Sequence, residues 1–187
     1  MRDVTQTTPD QNPYHDFKNK VLIIFQFLKH PLQEVKNLPD WNWSTLTLFL
    51  AIFSISSGVL FGLIPPNFYR ILGGFTLAPA ISFFMTGLLT VFFYYYFQIF
   101  ERRTVDFRRL YTLVIFSNFP FFIFQIGSQI VPPLTLIGFA MTSAITAVGL
   151  TENFQMEKRR AIRLVLFLLA IVFLIWLKDR IDMARLD

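Results

Sequence analysis

Residues 44–64 read STLTLFLAIFSISSGVLFGLI, without one charged side chain. A helix of this length rises about 30 Å at about 1.5 Å per residue, which matches the hydrocarbon core of a bilayer. Trp41 and Trp43 lie just before the run, where aromatic side chains often mark the membrane–water interface. Because lipid offers the backbone no hydrogen-bond partners, the stretch predicts a transmembrane helix.

The rest of the chain repeats this pattern. Hydrophobic residues make up 54% of the 187 residues and charged residues 16%, whereas soluble domains carry about 25% charged residues. We therefore predict an all-α fold, a polytopic membrane helix bundle with five transmembrane helices within residues 41–187. The predicted spans are about 44–64, 71–97, 110–131, 134–150 and 161–177.

Residues 17–40 form a different kind of segment. Apolar residues recur every three or four positions, and the lysines lie off that stripe. The segment is too short and too charged to span, so we predict an N-terminal amphipathic helix in the cytoplasmic interface, divided by Pro31. The alternative is a cytosolic helix packed on the inner loops. Residues 1–16 are polar and predicted to be flexible. The apolar stripe consists of Phe17, Val21, Ile24, Phe25, Leu28, Leu32 and Val35.

The distribution of positive charge predicts the orientation. With the N-terminus inside, 13 of the 17 Lys and Arg residues lie on the inner side, as the positive-inside rule requires. The C-terminus is then outside, and in a bacterium the location is the inner membrane. We expect the basic connections to contact anionic lipid, with an acidic protein partner as the alternative and no role in nucleic-acid binding. The predicted lipid contacts are Arg102, Arg103, Arg108, Arg109, Lys158, Arg159, Arg160 and Arg163.

Groups that carry catalysis are missing from the predicted spans. All 12 acidic residues lie outside them, His15 and His30 are both in the N-terminal segment, and the chain has no cysteine. Paired carboxylates and metal-binding clusters therefore cannot be placed within the membrane. We predict no catalytic residue, no metal site and no cofactor. The absence of intramembrane ionisable groups also argues against a proton-coupled pump.

The third span holds the best candidate for a polar site. Tyr111, Asn118, Gln125 and Gln129 follow one another at intervals that place them on one helical face. Such a face could line a path for a headgroup or a solute. It could equally join helices through hydrogen bonds, each worth on the order of 0.6 kcal/mol.

Small residues predict close helix packing in the first span. Ser54, Gly58 and Gly62 are four residues apart, so they let another helix approach, either within the monomer or in a homo-oligomer. Residues 74–82 also resemble residues 138–146, and each stretch follows a Pro-Pro turn. This resemblance suggests a hairpin duplicated in parallel, with one additional helix.

Three stretches resemble the Yip-domain family of five-span membrane proteins. They are FQFLKHPLQEVKNLP (25–39), VDFRRLYTLVIFSNFP (105–120) and AVGLTENFQMEKRRAIRLVLFLL (147–169). Ser117 and Pro120 match the family's third span, and Gly149, Glu152 and Ala161 match its connection from the fourth to the fifth span.

The resemblance implies a non-enzymatic protein of membrane organisation, trafficking-like scaffolding or lipid handling. Eukaryotic relatives associate with each other and with prenylated Rab-type GTPases. This chain lacks a counterpart of their Asp-Leu-Tyr-Gly-Pro stretch, which favours the prokaryotic branch and makes a GTPase partner conditional on eukaryote-like behaviour. The expected partners are membrane lipids and other membrane proteins. A transporter or channel for lipid or a small neutral solute remains the alternative function.

Overall fold

The computed structural model describes residues 13–128, 130–131 and 133–184. Within them the chain is mainly α-helical, and five helical stretches are long and apolar enough to cross a bilayer. This confirms the predicted fold class. The helices are α1 Pro13–Lys29, α2 Pro31–Glu34, α3 Trp43–Gly62, α4 Phe68–Phe100, α5 Phe107–Ser117, α6 Phe119–Gly127, α7 Leu134–Phe154 and α8 Lys158–Ala184.

Side-chain caps set where three of the spans begin. Asn42 accepts a hydrogen bond from the Thr45 backbone N–H at 2.9 Å, and Asn67 accepts one from Tyr69 at 2.9 Å. Asp106 does the same for α5. Each of these side chains satisfies a backbone donor that the first helical turn leaves unpaired.

The bundle has two distinct ends. One, here called the basic end, contains the connections 101–106 and 155–157 and the start of α3. The other, here called the proline end, contains the turns with Pro65 and Pro133. The five spans run alternately from one end to the other.

The third span, formed by α5 and α6, lies at the centre. Of its apolar stretch, 61% is buried, against 11% for α4 and 17% for the fifth span. Every residue from Leu110 to Ser117 is buried, so all sides of α5 contact protein. The series of backbone hydrogen bonds along the third span is interrupted between α5 and α6, because Pro120 has no N–H to donate to the Phe116 carbonyl. α4 and α8 leave most of their surface to lipid.

The helices α3 and α4 touch through their backbones. A Cβ built on Gly58 would lie 2.5 Å from the Gly74 carbonyl oxygen and 2.7 Å from the Ala78 Cβ. At Gly62 it would lie 2.7 Å from the Arg70 carbonyl carbon. Small residues at these positions therefore bring α3 directly against α4 within the monomer.

The corresponding glycine of the second hairpin occupies a similar place. A Cβ on Gly138 of α7 would lie 3.1 Å from the Phe121 Cα on α6. Gly74 and Gly138, which match in the sequence comparison, thus both face the preceding span. This shared placement supports the hypothesis of a duplicated hairpin.

The N-terminal helices α1 and α2 enter the bundle from the basic end. Near that end, Lys20 Nζ lies 3.5 Å from Thr45 Oγ1. Further along, the Phe27 ring packs edge-on against Phe116, with centroids 5.0 Å apart. Phe116 is about 14 Å along the third span from Phe107, at about 1.5 Å per residue. The turn between α1 and α2 therefore reaches almost half of the depth of the bundle.

Candidate functional site

The helix α1 has two apolar faces rather than one. Ile24 and Phe27 are buried against the spans. Leu22 and Phe25 are 53% and 61% exposed. They share their side of the helix with the exposed lysines Lys18 and Lys29. In the order Lys18, Leu22, Phe25 and Lys29, the residues are four, three and four positions apart, which places them on one side. We call this second side the outer face of α1.

The residues of the predicted stripe are divided between two surfaces, because Ile24 and Val35 are buried against the bundle while others are exposed. Phe25 is exposed and Leu32 is 48% exposed, whereas Phe27, which lay outside the predicted stripe, is 2% exposed. The chain turns between His30 and Pro31, so the helical phase changes there and α2 does not continue the stripe of α1. The location of α1 in the membrane interface remains a prediction.

The segment after α2 contacts the last turn of α7 through a hydrogen bond and an ion pair. Asn153 Nδ2 donates to the Val35 carbonyl at 2.6 Å, and Lys36 Nζ lies 4.0 Å from the Glu152 carboxylate. A Cβ on Gly149 would lie 3.1 Å from Val35 Cγ2, so the glycine makes room for this buried valine. The N-terminal segment is thus held from both α5 and α7.

The predicted polar face of the third span turns largely toward α3. The Tyr111 ring packs against Trp43, with centroids 5.2 Å apart, and Gln125 Oε1 lies 3.2 Å from Ser57 Oγ. Asn118 is half-buried at the joint of α5 and α6. Gln129 lies outside the described residues. Contacts with α3 therefore account for Tyr111 and Gln125 as groups that join helices.

The predicted lipid-contact residues fall into two groups. Three of the arginines are paired within the protein: Arg108 lies 2.6 Å from Asp40, and Arg103 and Arg160 lie 3.9 and 3.1 Å from Glu101. The remaining predicted residues are exposed at the basic end, and they are Arg102, Arg109, Lys158, Arg159 and Arg163.

The carboxylate of Glu101 links two connections. Its side chain is only 14% exposed, and it accepts a hydrogen bond from Arg160 Nη1 at 3.1 Å. Arg103 folds over the Phe97 ring at 5.1 Å from its centroid. Both arginines compensate the charge of a carboxylate that is largely removed from water.

A cleft of about 310 Å³ opens between α3, α4 and α6 near the proline end. We call it the Arg70 cleft. Its lining is mainly apolar, with Leu77 and Ile81 on the α4 side and Phe121 on α6. Arg70 and Gln125 are the polar side chains that matter most for what it could bind.

Three residues outside the predicted sites contribute to these features: Asn153 and Glu101 connect elements, and Arg70 lines the cleft. Asn153 lay beyond the predicted end of the fourth span at 150, but α7 continues to Phe154 and ends at Gln155, whose φ is 51°. Glu101 and Arg70 stand next to apolar runs, which is a signal only for a membrane boundary. Val35, which accepts from Asn153, and Arg160, which pairs with Glu101, are distant in sequence from those residues, so no local pattern could identify these contacts.

Comparison with known proteins agrees with this architecture. The family model of the Yip1 domain matches residues 25–178, from within α1 into the fifth span. No curated protein and no solved structure matches the chain. The matched region covers most of the chain and contains all five apolar helices. The chain therefore belongs to the Yip1 domain family of membrane proteins.

Proposed function

We propose that this protein is a non-enzymatic organiser of membrane shape, which inserts α1 and α2 into one leaflet beside its five spans. The outer face of α1 carries the proposal. Leu22 and Phe25 are exposed to the same extent as lipid-facing residues, while Phe27 fixes the opposite face to the bundle. A helix held this way displaces lipid in only one leaflet.

The orientation that we propose places this leaflet on the cytoplasmic side. The basic end carries the connections rich in Lys and Arg, and the positive-inside rule puts such connections in the cytoplasm. The N-terminus is then inside and the C-terminus outside. In a bacterial cell, the leaflet concerned is the inner leaflet of the inner membrane.

The shape of the bundle gives the mechanism. At the basic end the cross-section contains α1 and α2 as well as the spans, whereas at the proline end the described residues contribute only the spans and their turns. A protein wider in one leaflet favours a bilayer that curves away from that side.

Lys29 adds a second effect. It lies next to the turn at His30, across a groove of about 300 Å³ from Met141 and Ile145 of α7. A cation below the headgroup level draws headgroups inward and thins the leaflet locally. Thinning and added width act in the same leaflet.

The test is curvature sorting of the full-length protein. Labelled protein is inserted into vesicles of mixed diameter, and an impermeant quencher identifies those in which the N-terminus faces outward. We expect a higher protein density per membrane area in the small vesicles. The Leu22→Ala/Phe25→Ala variant should lose most of this enrichment.

A matched control is available on α8. Leu166 and Phe167 are 56% and 61% exposed, close to the values of Leu22 and Phe25. The Leu166→Ala/Phe167→Ala variant removes the same side chains from a span and should sort like the wild type. Equal density of the wild type in vesicles of all sizes would refute the proposal.

The contacts of the third span support scaffolding over transport. Tyr111 packs against Trp43 and Gln125 contacts Ser57, so this face joins the third span to α3, and Gln125 also lines the Arg70 cleft. Replacing Asn118 and Gln125 by Leu should change thermal stability modestly and leave lipid movement across reconstituted vesicles unchanged. Loss of a lipid or solute flux in that folded variant would instead favour a transporter.

A further inference from the structure

The Arg70 cleft presents hydrogen-bond donors at two depths. Arg70 lies beside Gly62, since a Cβ there would be 2.7 Å from the Arg70 carbonyl carbon. Gln125 lies beside Ser57, 3.2 Å from its Oγ. The distance from Gly62 to Ser57 along α3 is about 7–8 Å at about 1.5 Å per residue. Arg70 is therefore the donor nearer the membrane surface, and Gln125 lies deeper.

Both side chains retain capacity to donate. Among the described residues, no carboxylate lies within ion-pairing distance of the Arg70 guanidinium. Ser57 has one hydroxyl proton, and its Oγ lies 2.9 Å from the Phe122 carbonyl, which accepts it. In either orientation of its amide, Gln125 then keeps at least one N–H for a ligand. The cleft is therefore rich in donors.

The rest of the cleft is suited to hydrocarbon. Leu77 and Ile81 are 63% and 57% exposed on the lipid-facing surface of α4, and Phe121 forms the opposite wall. Gly73 and Gly74 leave the part of the α4 wall nearest the proline end without side chains. The cleft is continuous with the surface that lipid covers, so a chain can enter it from the side.

We propose that the Arg70 cleft binds one anionic phospholipid from the leaflet at the proline end. The phosphate pairs with Arg70, because the guanidinium fork matches phosphate oxygens. No carboxylate of the described residues pairs with Arg70, so nothing there offsets the ammonium of a zwitterionic headgroup, and a headgroup with net negative charge is favoured. An ester carbonyl accepts from Gln125, which lies deeper by about the length of a glycerol backbone. One acyl chain follows Leu77 and Ile81. This site is independent of the curvature proposal, which concerns the opposite end of the bundle.

Native mass spectrometry of the full-length protein tests the site. The protein is titrated with phosphatidylglycerol, with phosphatidylcholine and with inorganic phosphate. We expect one phosphatidylglycerol to be retained more strongly than phosphatidylcholine. Inorganic phosphate should neither bind stably nor displace the lipid. Equal retention of the two lipids, or displacement by phosphate alone, would overturn the proposal.

Variants then locate the binding. Arg70→Gln should weaken retention of this lipid by about ten-fold or more, because the hydrogen bond that is lost is charge-assisted and stronger than a neutral one. Arg70→Lys should give an intermediate loss. The control, Arg163→Gln, removes an exposed arginine at the basic end and should keep the tight lipid. Undiminished binding to Arg70→Gln would contradict the assignment.

A fluorescence measurement covers the case of a misfolded variant. The Leu77→Cys variant, in a chain without native cysteine, carries a fluorescent label on the α4 wall, and spin-labelled phosphatidylglycerol should quench it more than spin-labelled phosphatidylcholine. Adding Arg70→Gln should remove this difference while circular dichroism stays unchanged. If the two lipids quench the reporter equally in the parent variant, the cleft does not select anionic lipid.

Discussion

The contact between Gly58 and Gly74 gives the sharpest prediction of stability. A Cβ on Gly74 would overlap the Gly58 carbonyl and lie 2.8 Å from the Val59 nitrogen. These are backbone atoms, so no side-chain rotation can relieve the overlap. The two helices must separate by about 1–2 Å to restore ordinary contact distances near 3.5–4.0 Å. We expect Gly74→Ala to destabilise the protein by about 1–3 kcal/mol, the usual cost of overpacking.

The neighbouring glycine is the matched control. A Cβ on Gly73 would meet only Leu77 Cδ1, at 4.0 Å. Gly73→Ala should therefore be neutral or stabilising by up to about 1 kcal/mol through helix propensity. Unfolding in mixed micelles by added sodium dodecyl sulfate, followed by circular dichroism, measures both variants. If Gly74→Ala unfolds at the same detergent fraction as Gly73→Ala, the close contact of α3 and α4 is wrong.

Three further predictions concern the basic end. Phe27→Ala should cost about 3–5 kcal/mol as a buried aromatic truncation, whereas Phe25→Ala, on the exposed face, should change the free energy of unfolding by less than about 1 kcal/mol; the same micelle assay compares them. Glu101→Gln removes the carboxylate that Arg160 and Arg103 share, so we expect the free energy of unfolding to fall by about 1–3 kcal/mol and amide exchange in residues 101–106 to become faster. Glu34→Gln is the control, because Glu34 forms no ion pair among the described residues. For topology, single cysteines at Gln6 and Asp187 should be respectively spared and labelled by an impermeant maleimide in intact cells; the reverse labelling contradicts the proposed orientation.

Hydropathy was sufficient to predict the number of spans, because each span must satisfy its backbone hydrogen-bond groups without water and therefore forms one long apolar helix. It was less informative about which side of a helix faces protein. In the third span, α5 is buried on all sides, so its spacing could not distinguish a face toward α3 from any other. The side chain at 118 lies at the joint of two helices, where the period assumed for one continuous helix no longer applies.

The N-terminal segment shows the same limitation for a different reason. Phe25 and Phe27 are chemically identical, and only contact with Phe116 decides which one is buried. Likewise, charge patterning marked Arg103, Arg108 and Arg160 as basic-end residues but could not reveal their carboxylate partners. Asp40 and Glu101, which pair with Arg108 and Arg160, belong to other connections, and these connections come together only after the spans have packed.

The length of α4 links the bundle to the thickness of its membrane. The helix contains 33 residues, so it is about 50 Å long at about 1.5 Å per residue, while a bilayer with its headgroups measures about 40–45 Å. A tilt of about 25–35° is needed to keep both ends within that thickness, and it lies inside the range seen for membrane helices. Because Gly74 fixes α4 against α3 near the proline end, a thinner bilayer increases the tilt about that point and displaces the opposite end of α4. The position of Glu101, and with it the start of α8, therefore varies with bilayer thickness.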